Sequence, residues 1–156
     1  MKSAVYARAL GAAFRLLKYR QRSVHEVRCR LMLARYGKAA VEEVLAFLQE
    51  KRFLDDEQFA RFWIESRLKK PMGPARVRQE LVFKGVDKEL VERCMSDALA
   101  DYSPSDALRE LAIRRLEKCR GLDERAAGRR VAQFLIRRGF SPDNVWDAVN
   151  ELMKAR

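Results

Sequence analysis

An internal repeat constrains the fold of this chain more than any other feature. Residues 79–91 align without a gap on residues 133–145, an offset of 54. Both segments read Gln, Leu, Val or Ile, a cation, Gly, an apolar residue, a helix-capping residue, an acid and Val. A more diverged copy, residues 27–31, matches residues 77–81 at an offset of 50, and we expect it to run two or three residues longer before its next helix. Recurrence at this period is typical of tandem modules that each pack mainly on their neighbours.

The apolar residues between turn signals recur with the 3.6-residue period of helices. The 156 residues include 7 Gly, 4 Pro, three Ile and no Thr, which is too little turn and β-branched content for a sandwich or a barrel. The sequence therefore predicts an all-α fold. Nine helices are expected, at residues 4–21, 24–36, 39–51, 56–70, 74–84, 88–100, 104–119, 124–138 and 142–154.

Capping residues mark most of these helix boundaries. Ser23-Val24-His25-Glu26 predicts a capping box, in which the serine hydroxyl and the glutamate each satisfy a free amide. Other starts are indicated by cap-tolerant residues, some of them before a proline, at Asp55, Gly73, Asp87, Ser103, Asp123 and Ser141. Four glycines are expected to close helices in the left-handed conformation, namely Gly37, Gly85, Gly121 and Gly139.

Nine helices and a repeat predict three tandem three-helix modules, at residues 1–52, 53–101 and 102–156. Three short helices bury only a small core, so neighbouring modules must cover each other's apolar edges. We therefore expect an elongated, curved helical-repeat array. Such a surface suits a large partner better than an enclosed small substrate.

The chain is strongly basic, with 33 Lys and Arg against 22 Asp and Glu and a formal net charge of +11. The excess lies in the outer modules, because residues 1–52 carry +8 and residues 102–156 carry +4, whereas residues 53–101 carry −1. Within the middle module, residues 61–84 still hold seven cations against two acids. Any single cation has a solvated helix face as its alternative explanation. The set as a whole predicts a polyanionic partner or an acidic protein surface.

Signatures of catalysis are lacking in the sequence. It has neither glycine motif for phosphate or dinucleotide binding, and its one histidine, His25, cannot supply two imidazole ligands. The acids of Asp55-Asp56-Glu57 suit the first turn of a helix, where the helix dipole favours negative charge. We therefore expect no catalytic residue, no metal site and no cofactor.

Three cysteines, Cys29, Cys94 and Cys119, have no metal-ligand spacing and are odd in number. Reduced, buried thiols are the expected state, which favours a cytoplasmic location. No run of residues approaches the ~18 apolar residues of a membrane span, and the N-terminal residues do not resemble a targeting segment. We expect no membrane association.

Most aromatic residues fall at the spacing of helix cores, with two exceptions. Phe83 lies off the apolar stripe of its helix and beside Lys84, and Trp146 lies next to the stripe of its own helix. Exposed aromatic rings that alternate with cations are platforms for base stacking. Packing between modules is the alternative role for both residues.

One set of residues in the middle module carries a further signal: Phe53-Leu54-Asp55-Asp56, Phe59-Ala60, Arg67, Gly73-Pro74-Ala75-Arg76-Val77-Arg78-Gln79-Glu80-Leu81 and Lys84-Gly85-Val86. This set closely resembles the signature of the RecX family, bacterial regulators of the RecA recombinase. The resemblance extends over nearly the whole chain and includes the Arg-Arg-Gly-Phe segment at 137–140. One departure is Arg52, where the family usually has Gly, and it predicts a different end to the third helix.

The resemblance implies a protein that binds the RecA–single-stranded DNA filament, lodges in its helical groove and suppresses strand exchange, ATP hydrolysis and coprotease activity. It implies a regulator of DNA repair and not an enzyme, and we expect a monomer. The motif positions expected to face the partner are Arg67, Arg76, Arg78 and Lys84. Charge geometry alone adds Arg28, Arg35, Arg130, Arg137 and Arg138.

Two other functions stay open at this point. A general DNA-binding protein of helical repeats would bind naked DNA with a steep dependence on salt. A nucleic-acid enzyme is the third hypothesis, although the sequence shows no acid–base pair or metal set for it.

Overall fold

The structure is a computed structural model that describes residues 4–70, 72–100, 102 and 104–155. Those residues form nine α-helices and no β-strand, which confirms the predicted all-α class. Each helix begins within one residue of its predicted start, and the ends fall up to three residues earlier than predicted. In chain order the helices are α1 Ala4–Tyr19, α2 Val24–Leu33, α3 Lys38–Glu50, α4 Asp56–Leu68, α5 Pro74–Phe83, α6 Lys88–Leu99, α7 Pro104–Glu117, α8 Glu124–Arg137 and α9 Pro142–Lys154.

The caps explain why the helix starts are predictable from sequence. The Ser23 hydroxyl accepts a hydrogen bond from the Glu26 amide (3.1 Å), and the Glu26 carboxylate accepts one from the Ser23 amide (3.3 Å), which confirms the capping box. The predicted cap at Ser103 lies outside the described residues. First-turn amides also donate to the side chains of Asp55, Asp87, Asp123 and Ser141.

Two helices of the repeat end in the same left-handed closure. The φ angle is 75° at Gly85 and 88° at Gly139, and the amide of each donates to the carbonyl three residues before it. The next amide in each case reaches the carbonyl five residues back. This Schellman arrangement needs a positive φ, which glycine adopts without a steric penalty. Gly121 is left-handed as well, as predicted.

Gly37 does not close a helix, so that prediction is wrong. Its φ is −61°, and it precedes the first residue of α3 as that helix's cap. The left-handed closure of α2 falls two residues earlier, at Arg35 (φ 61°). As a result, α2 and α3 begin 50 residues before α5 and α6, and the insertion expected in the first module is absent. Gly37 lies two residues after the closing residue Arg35, so taking Gly37 as the closure makes the first module look longer than it is.

Arg52 also adopts the left-handed conformation, with φ 56° at the end of α3. The amide of Phe53 then donates to the carbonyl of Leu48 (2.8 Å), which is the same closure that glycine makes elsewhere. The different helix end predicted from the missing glycine is therefore wrong. The backbone adopts this closure with an arginine at a cost of about 1–2 kcal/mol.

Apolar faces of the helices form two buried clusters. The first lies among α1, α2 and α3 and includes Val27, Leu31 and Leu48. The second lies among α7, α8 and α9 and includes Val131 and Leu135. The cysteines divide differently from the prediction, because Cys94 and Cys119 are buried and Cys29 is exposed.

Packing divides the described residues into two compact units. The first contains the residues up to Phe62 together with Leu81–Val91, and the second contains Trp63–Glu80 and the residues from Glu92 onward. The helices of the middle module therefore contribute to both units. This division groups residues by packing and does not test the module boundaries, which stay a prediction.

Candidate functional site

In the second compact unit, the start of α5 rests on the end of α8. The amide of Gly73 donates to the carbonyl of Arg138 (2.8 Å), and the amide of Ala75 donates to the carbonyl of Gly139 (3.2 Å). The two backbones are so close that a Cβ atom at Gly73 would overlap the backbone of Gly139. We call this contact the second junction. Its backbone hydrogen bonds fix the start of one helix against the end of the other.

Three predicted site residues meet at the second junction. Arg76, Arg137 and Arg138 line a cleft of about 300 Å³ together with Met72 and Phe134. The Arg138 guanidinium lies over the Phe134 ring, 5.2 Å from its centroid. Among the described residues, those that line the cleft include no acid. Planar guanidinium groups gathered in this way bind phosphate or carboxylate groups through paired hydrogen bonds.

One carboxylate, that of Glu80, lies beside the cleft and is shared. Arg67 Nε donates to Glu80 Oε2 (2.8 Å), and Trp63 Nε1 donates to the same oxygen (3.0 Å). The other oxygen lies 3.5 Å from Arg76 Nε. The single carboxylate of Glu80 thus faces two arginines.

In the first compact unit, the start of α2 rests on the end of α5 through the side chains of Ser23 and His25. The Ser23 hydroxyl is fully buried and donates to the carbonyl of Lys84 (2.5 Å). A Cβ atom at Gly85 would overlap the ring of His25, so these helices also approach closely. We call this contact the first junction.

A carboxylate neutralises the cations of the first junction. Glu26 accepts hydrogen bonds from Lys84 Nζ (3.1 Å) and from the Arg20 guanidinium (2.8 Å). Partial burial alone would raise the pKa of Glu26, but the hydrogen bonds from Arg20 and Lys84 outweigh it and hold that pKa at about 2. The Glu26–Lys84 pair is therefore an internal ion pair that joins α2 to the end of α5.

The two junctions occupy equivalent positions of the repeat. The starts of α2 and α5 are offset by 50 residues, so Glu26 corresponds to Arg76, and the ends of α5 and α8 are offset by 54, so Lys84 corresponds to Arg138. The acid–base pair of the first junction is replaced by two cations at the second. An anion from a partner can supply the charge that Glu26 supplies in the first junction.

Two other predicted site residues, Arg28 and Arg78, each form an ion pair, and the two pairs lie at equivalent positions of the repeat. Arg28 donates to Glu42 (2.9 and 3.1 Å), and Arg78 donates to Glu92 (3.0 Å), again with an offset of 50 for both members. The Glu42 hydrogen bond raises the pKa of Arg28. Each pair links the second and third helices of its module. Both pairs are solvent-exposed, and ion pairs at such positions contribute little to folding.

Two motif residues are engaged inside their own units. Arg67 is partly buried, with its guanidinium 4.4 Å from the centroid of the Trp63 ring and its Nε bonded to Glu80. Lys84 is partly buried against Glu26. Their prediction as partner-facing residues is not tested by these contacts, but the contacts give each of them a structural role.

The remaining predicted residues, Arg35 and Arg130, are exposed in different units. Arg35 is the left-handed residue that closes α2, and Arg130 lies on the outer surface of α8. The structure does not bring either of them into the cleft of the second junction.

Sequence reasoning missed a second basic group, in the first unit. Arg20, Arg22 and Arg30 line one cleft together with Phe83 and Lys84. The charge of +8 in residues 1–52 was the available signal. Helical spacing alone does not reveal that the end of α5 reaches these three arginines.

The described residues contain neither a candidate metal site nor a candidate membrane span. No group of three or more His, Cys, Asp or Glu side chains lies close enough to hold a metal ion. Within the same residues, no helix combines the length and the hydropathy that crossing a membrane requires.

Family models cover most of the chain in three consecutive matches. Residues 9–48 match the model described as RecX, first three-helix domain, residues 55–95 match the second, and residues 102–149 match the third. The architecture of three tandem three-helix domains is confirmed by these matches.

Individual relatives carry the same name. The chain is 36% identical over 152 residues to "Regulatory protein RecX" of Salmonella typhimurium (strain LT2), a match that covers 90% of this chain and 89% of the relative. Among solved structures, it resembles a crystal structure of RecX from Lactobacillus salivarius with a TM-score of 0.80, 21% identity and coverage of 97% and 98%. It also resembles a crystal structure of regulatory protein RecX with a TM-score of 0.83, 22% identity and coverage of 97% and 74%.

Proposed function

The chain belongs to the RecX family, and from this premise we propose that it is a regulator, mainly an inhibitor, of the RecA recombinase. In this proposal it binds the filament that RecA forms on single-stranded DNA and lodges in the groove of that filament. There it suppresses strand exchange, ATP hydrolysis and coprotease activity, and it thereby regulates DNA repair.

The cleft of the second junction is the observation that carries the proposal. A recombinase filament offers DNA phosphates and protein carboxylates side by side. Arg76 comes from the middle module and Arg137 and Arg138 from the third, so one cleft combines cations from two modules. Several such contacts on one scaffold add through their high effective concentration, which suits a partner built from repeated subunits.

The proposal requires binding and no chemical step. In this proposal, occupying the groove of the filament blocks strand exchange and ATP hydrolysis without catalysis, so we propose that the protein is not an enzyme and uses no cofactor. We also propose that it acts as a monomer in the cytoplasm, where its partner filament forms.

A general DNA-binding protein is the alternative, and salt dependence separates the two. Direct DNA binding through n phosphate contacts lowers log K with log salt by a slope of about −0.7n for single strands. Binding to a filament through protein contacts as well gives a shallower slope and an affinity that naked DNA does not reach.

The test is the ATP hydrolysis of RecA from the same organism on single-stranded DNA, titrated with the purified protein. We expect the native chain to suppress hydrolysis at no more than one molecule per RecA. Arg76→Ala combined with Arg137→Ala removes two charged contacts, and at least about tenfold more protein should be needed for half suppression. Absence of suppression by the native chain would refute the proposed function.

Two further variants locate the effect. Arg125→Ala combined with Arg129→Ala removes the same charge from exposed positions of α8 outside the cleft and should leave suppression unchanged. Arg78→Ala tests the other motif arginine, which is held by Glu92. If the Arg76/Arg137 variant suppresses hydrolysis as well as the native chain does, the cleft is not the contact.

A further inference from the structure

A second surface, in the first compact unit, combines cations with exposed aromatic rings. Its first part is a cleft of about 310 Å³ lined by Arg20, Arg22, Arg30, Leu33, Phe83 and Lys84, among others. Its second part is a cleft of about 340 Å³ whose lining includes Arg15 and Tyr19. Arg30 lines both clefts, so the two parts adjoin at this residue. We call the combined surface the Phe83–Tyr19 track.

The aromatic side chains of this track are almost fully exposed. The relative exposure is 89% for Phe83, 85% for Tyr19 and 77% for the neighbouring Leu33. A phenylalanine at the end of a helix normally packs into a core, because its burial contributes about 1.5–3 kcal/mol. Phe83 makes no such contribution to the first unit, so its side chain adds little to folding.

Cationic side chains outnumber acidic ones along the track. The one acid that lines the first cleft, Glu26, already binds both Arg20 and Lys84. Arg22 is partly buried, with its Nε bonded to the carbonyl of Leu16 (3.1 Å). Burial, the charge of Arg20 and the charge of Arg30 together lower the pKa of Arg22. The cations therefore repel one another, and a bound anion would relieve that repulsion.

We propose that the Phe83–Tyr19 track binds single-stranded DNA, with bases stacked on the rings of Phe83 and Tyr19 and phosphates held by Arg22 and Arg30. This inference deepens the proposed function by naming the nucleic acid that this unit contacts and the residues that contact it. Alternation of aromatic rings and cations along a groove is how proteins hold single strands without reading their sequence.

The shape of the track favours bases over an acidic peptide. An apolar peptide side chain needs a concave pocket that removes it from water, whereas the Phe83 ring projects from the surface with its faces free. An unstacked base is flat and lies on such a ring without a pocket. Bases within duplex DNA are already stacked on each other, so the track binds single strands in preference to duplex.

A matched set of variants tests the stacking. Phe83→Leu keeps an apolar side chain but removes the aromatic face, and Phe83→Trp enlarges that face. Phe62→Leu is the control, because Phe62 is an exposed phenylalanine of the same unit that lines neither cleft. Affinity is measured by fluorescence anisotropy with an oligo-dT strand, a duplex of equal length and a strand of equal length without bases. Circular dichroism verifies that each variant keeps its helices.

We expect Phe83→Leu to weaken binding to oligo-dT by at least about fivefold and Phe83→Trp to bind as tightly as the native chain or more tightly. Tyr19→Leu should act in the same direction. Neither the strand without bases nor the duplex should distinguish Phe83→Leu from the native chain, and Phe62→Leu should bind oligo-dT normally. Arg30→Ala should weaken binding to all three nucleic acids.

Three results would overturn the inference. One is the absence of oligo-dT binding by the native chain, and another is equal affinity of the native chain and Phe83→Leu for oligo-dT. The third is an equal loss with the strand that has no bases. The RecA assay tests the proposed function independently of these results. If the native chain suppresses ATP hydrolysis but Phe83→Leu binds oligo-dT normally, only the inference about the Phe83–Tyr19 track is refuted. Conversely, stacking on naked DNA without any suppression of RecA would refute the proposed function alone.

Discussion

The first and second junctions form at equivalent positions of the repeat and differ in their contacts and in their charge. In each, the start of one module's second helix rests on a left-handed glycine that ends the second helix of the next module. Glu26 pairs with Lys84 at the first junction, whereas the equivalent residues of the second are Arg76 and Arg138. A helix start that rests on a helix-closing glycine therefore recurs in both junctions, whereas the contacts and the charges around it differ.

This difference shows how a repeat acquires a binding site. In an internal ion pair the two charges neutralise each other, so the pair attracts a charged ligand only weakly. When its acid is replaced by arginine, the same joint carries two like charges, and both of them attract an external anion. A joint needed for folding has thus supplied the geometry of a candidate site.

The largest effect should come from filling a junction glycine. Gly85→Val adds a β-branched side chain at positive φ and overlaps His25, so we expect a loss of about 3 kcal/mol in the free energy of unfolding, measured by urea denaturation. Gly139→Val should cost a similar amount, because its Cβ would overlap Arg76.

Substitutions at two other glycines distinguish the cost of backbone strain from the cost of steric overlap with a neighbouring residue. Gly121 has a φ of 92° with open space around it, so Gly121→Val should cost less than Gly85→Val. Gly37 has neither strain nor a close neighbour, and Gly37→Ala should be nearly neutral. Equal losses at Gly85 and Gly121 would show that the junction contact contributes nothing.

Acid should weaken the first junction through Glu26. Its folded-state pKa is about 2, below the usual value of 4.5, so its stabilisation is complete above about pH 4.5 and is lost as the pH falls toward 2. We expect Glu26→Gln to lower stability by about 1 kcal/mol at pH 7 and to flatten the decline between pH 5 and 2.

Thermal unfolding across that pH range measures this effect. Glu50→Gln is the control, because Glu50 pairs with Lys51 at an exposed position where an ion pair contributes little. An acid decline of the same steepness in Glu26→Gln and in the native chain would contradict the proposed importance of the pair.

Arg76→Glu gives the second junction the acid that the first one has. We expect stability to change by less than about 1 kcal/mol, because a new attraction to Arg137 and Arg138 offsets a repulsion from Glu80. Suppression of RecA should nevertheless weaken at least tenfold. Arg129→Glu makes the same charge change outside the cleft, and an equal loss of suppression there would indicate a general charge effect.

The smallest effect should come from the closure that belongs to neither junction. Arg35 is the counterpart of Gly85 and Gly139 in the first module, and it is exposed. Arg35→Gly removes strain from the folded state but increases the freedom of the unfolded chain, so we expect a gain of up to about 1 kcal/mol. Chemical denaturation of Arg35→Gly and Arg52→Gly measures it, and a loss of stability in both would contradict the strain.

Local signals made the helices predictable, and their absence explains the errors. The Ser23 capping box is written in four consecutive residues, so sequence alone predicts it. Gly37 was misread because a glycine suits the residue before a helix as well as the one after it. Arginine rarely adopts a positive φ, so the sequence does not predict the left-handed closures at Arg35 and Arg52.

The sequence predicted which residues belong to the candidate site but not that they lie together in one cleft. Sequence reasoning selected Arg76, Arg137 and Arg138, but their convergence depends on a backbone contact between residues far apart in the chain. The same limitation applies to Arg67 and Arg78, whose acids become visible only in the folded chain. The exposure of Phe83 was predictable from its position off the apolar stripe of α5. The sequence did not indicate which residues of α2 would lie beside it.

The buried hydroxyl of Ser23 has a consequence for synthesis on the ribosome. Its acceptor, the carbonyl of Lys84, lies 61 residues downstream. At 5–20 residues per second, the first helices wait roughly 3–12 seconds after Ser23 is made before that acceptor exists. During this interval the hydroxyl remains hydrated and the first junction is open. The order of translation therefore leaves this junction incomplete until the end of α5 has been made.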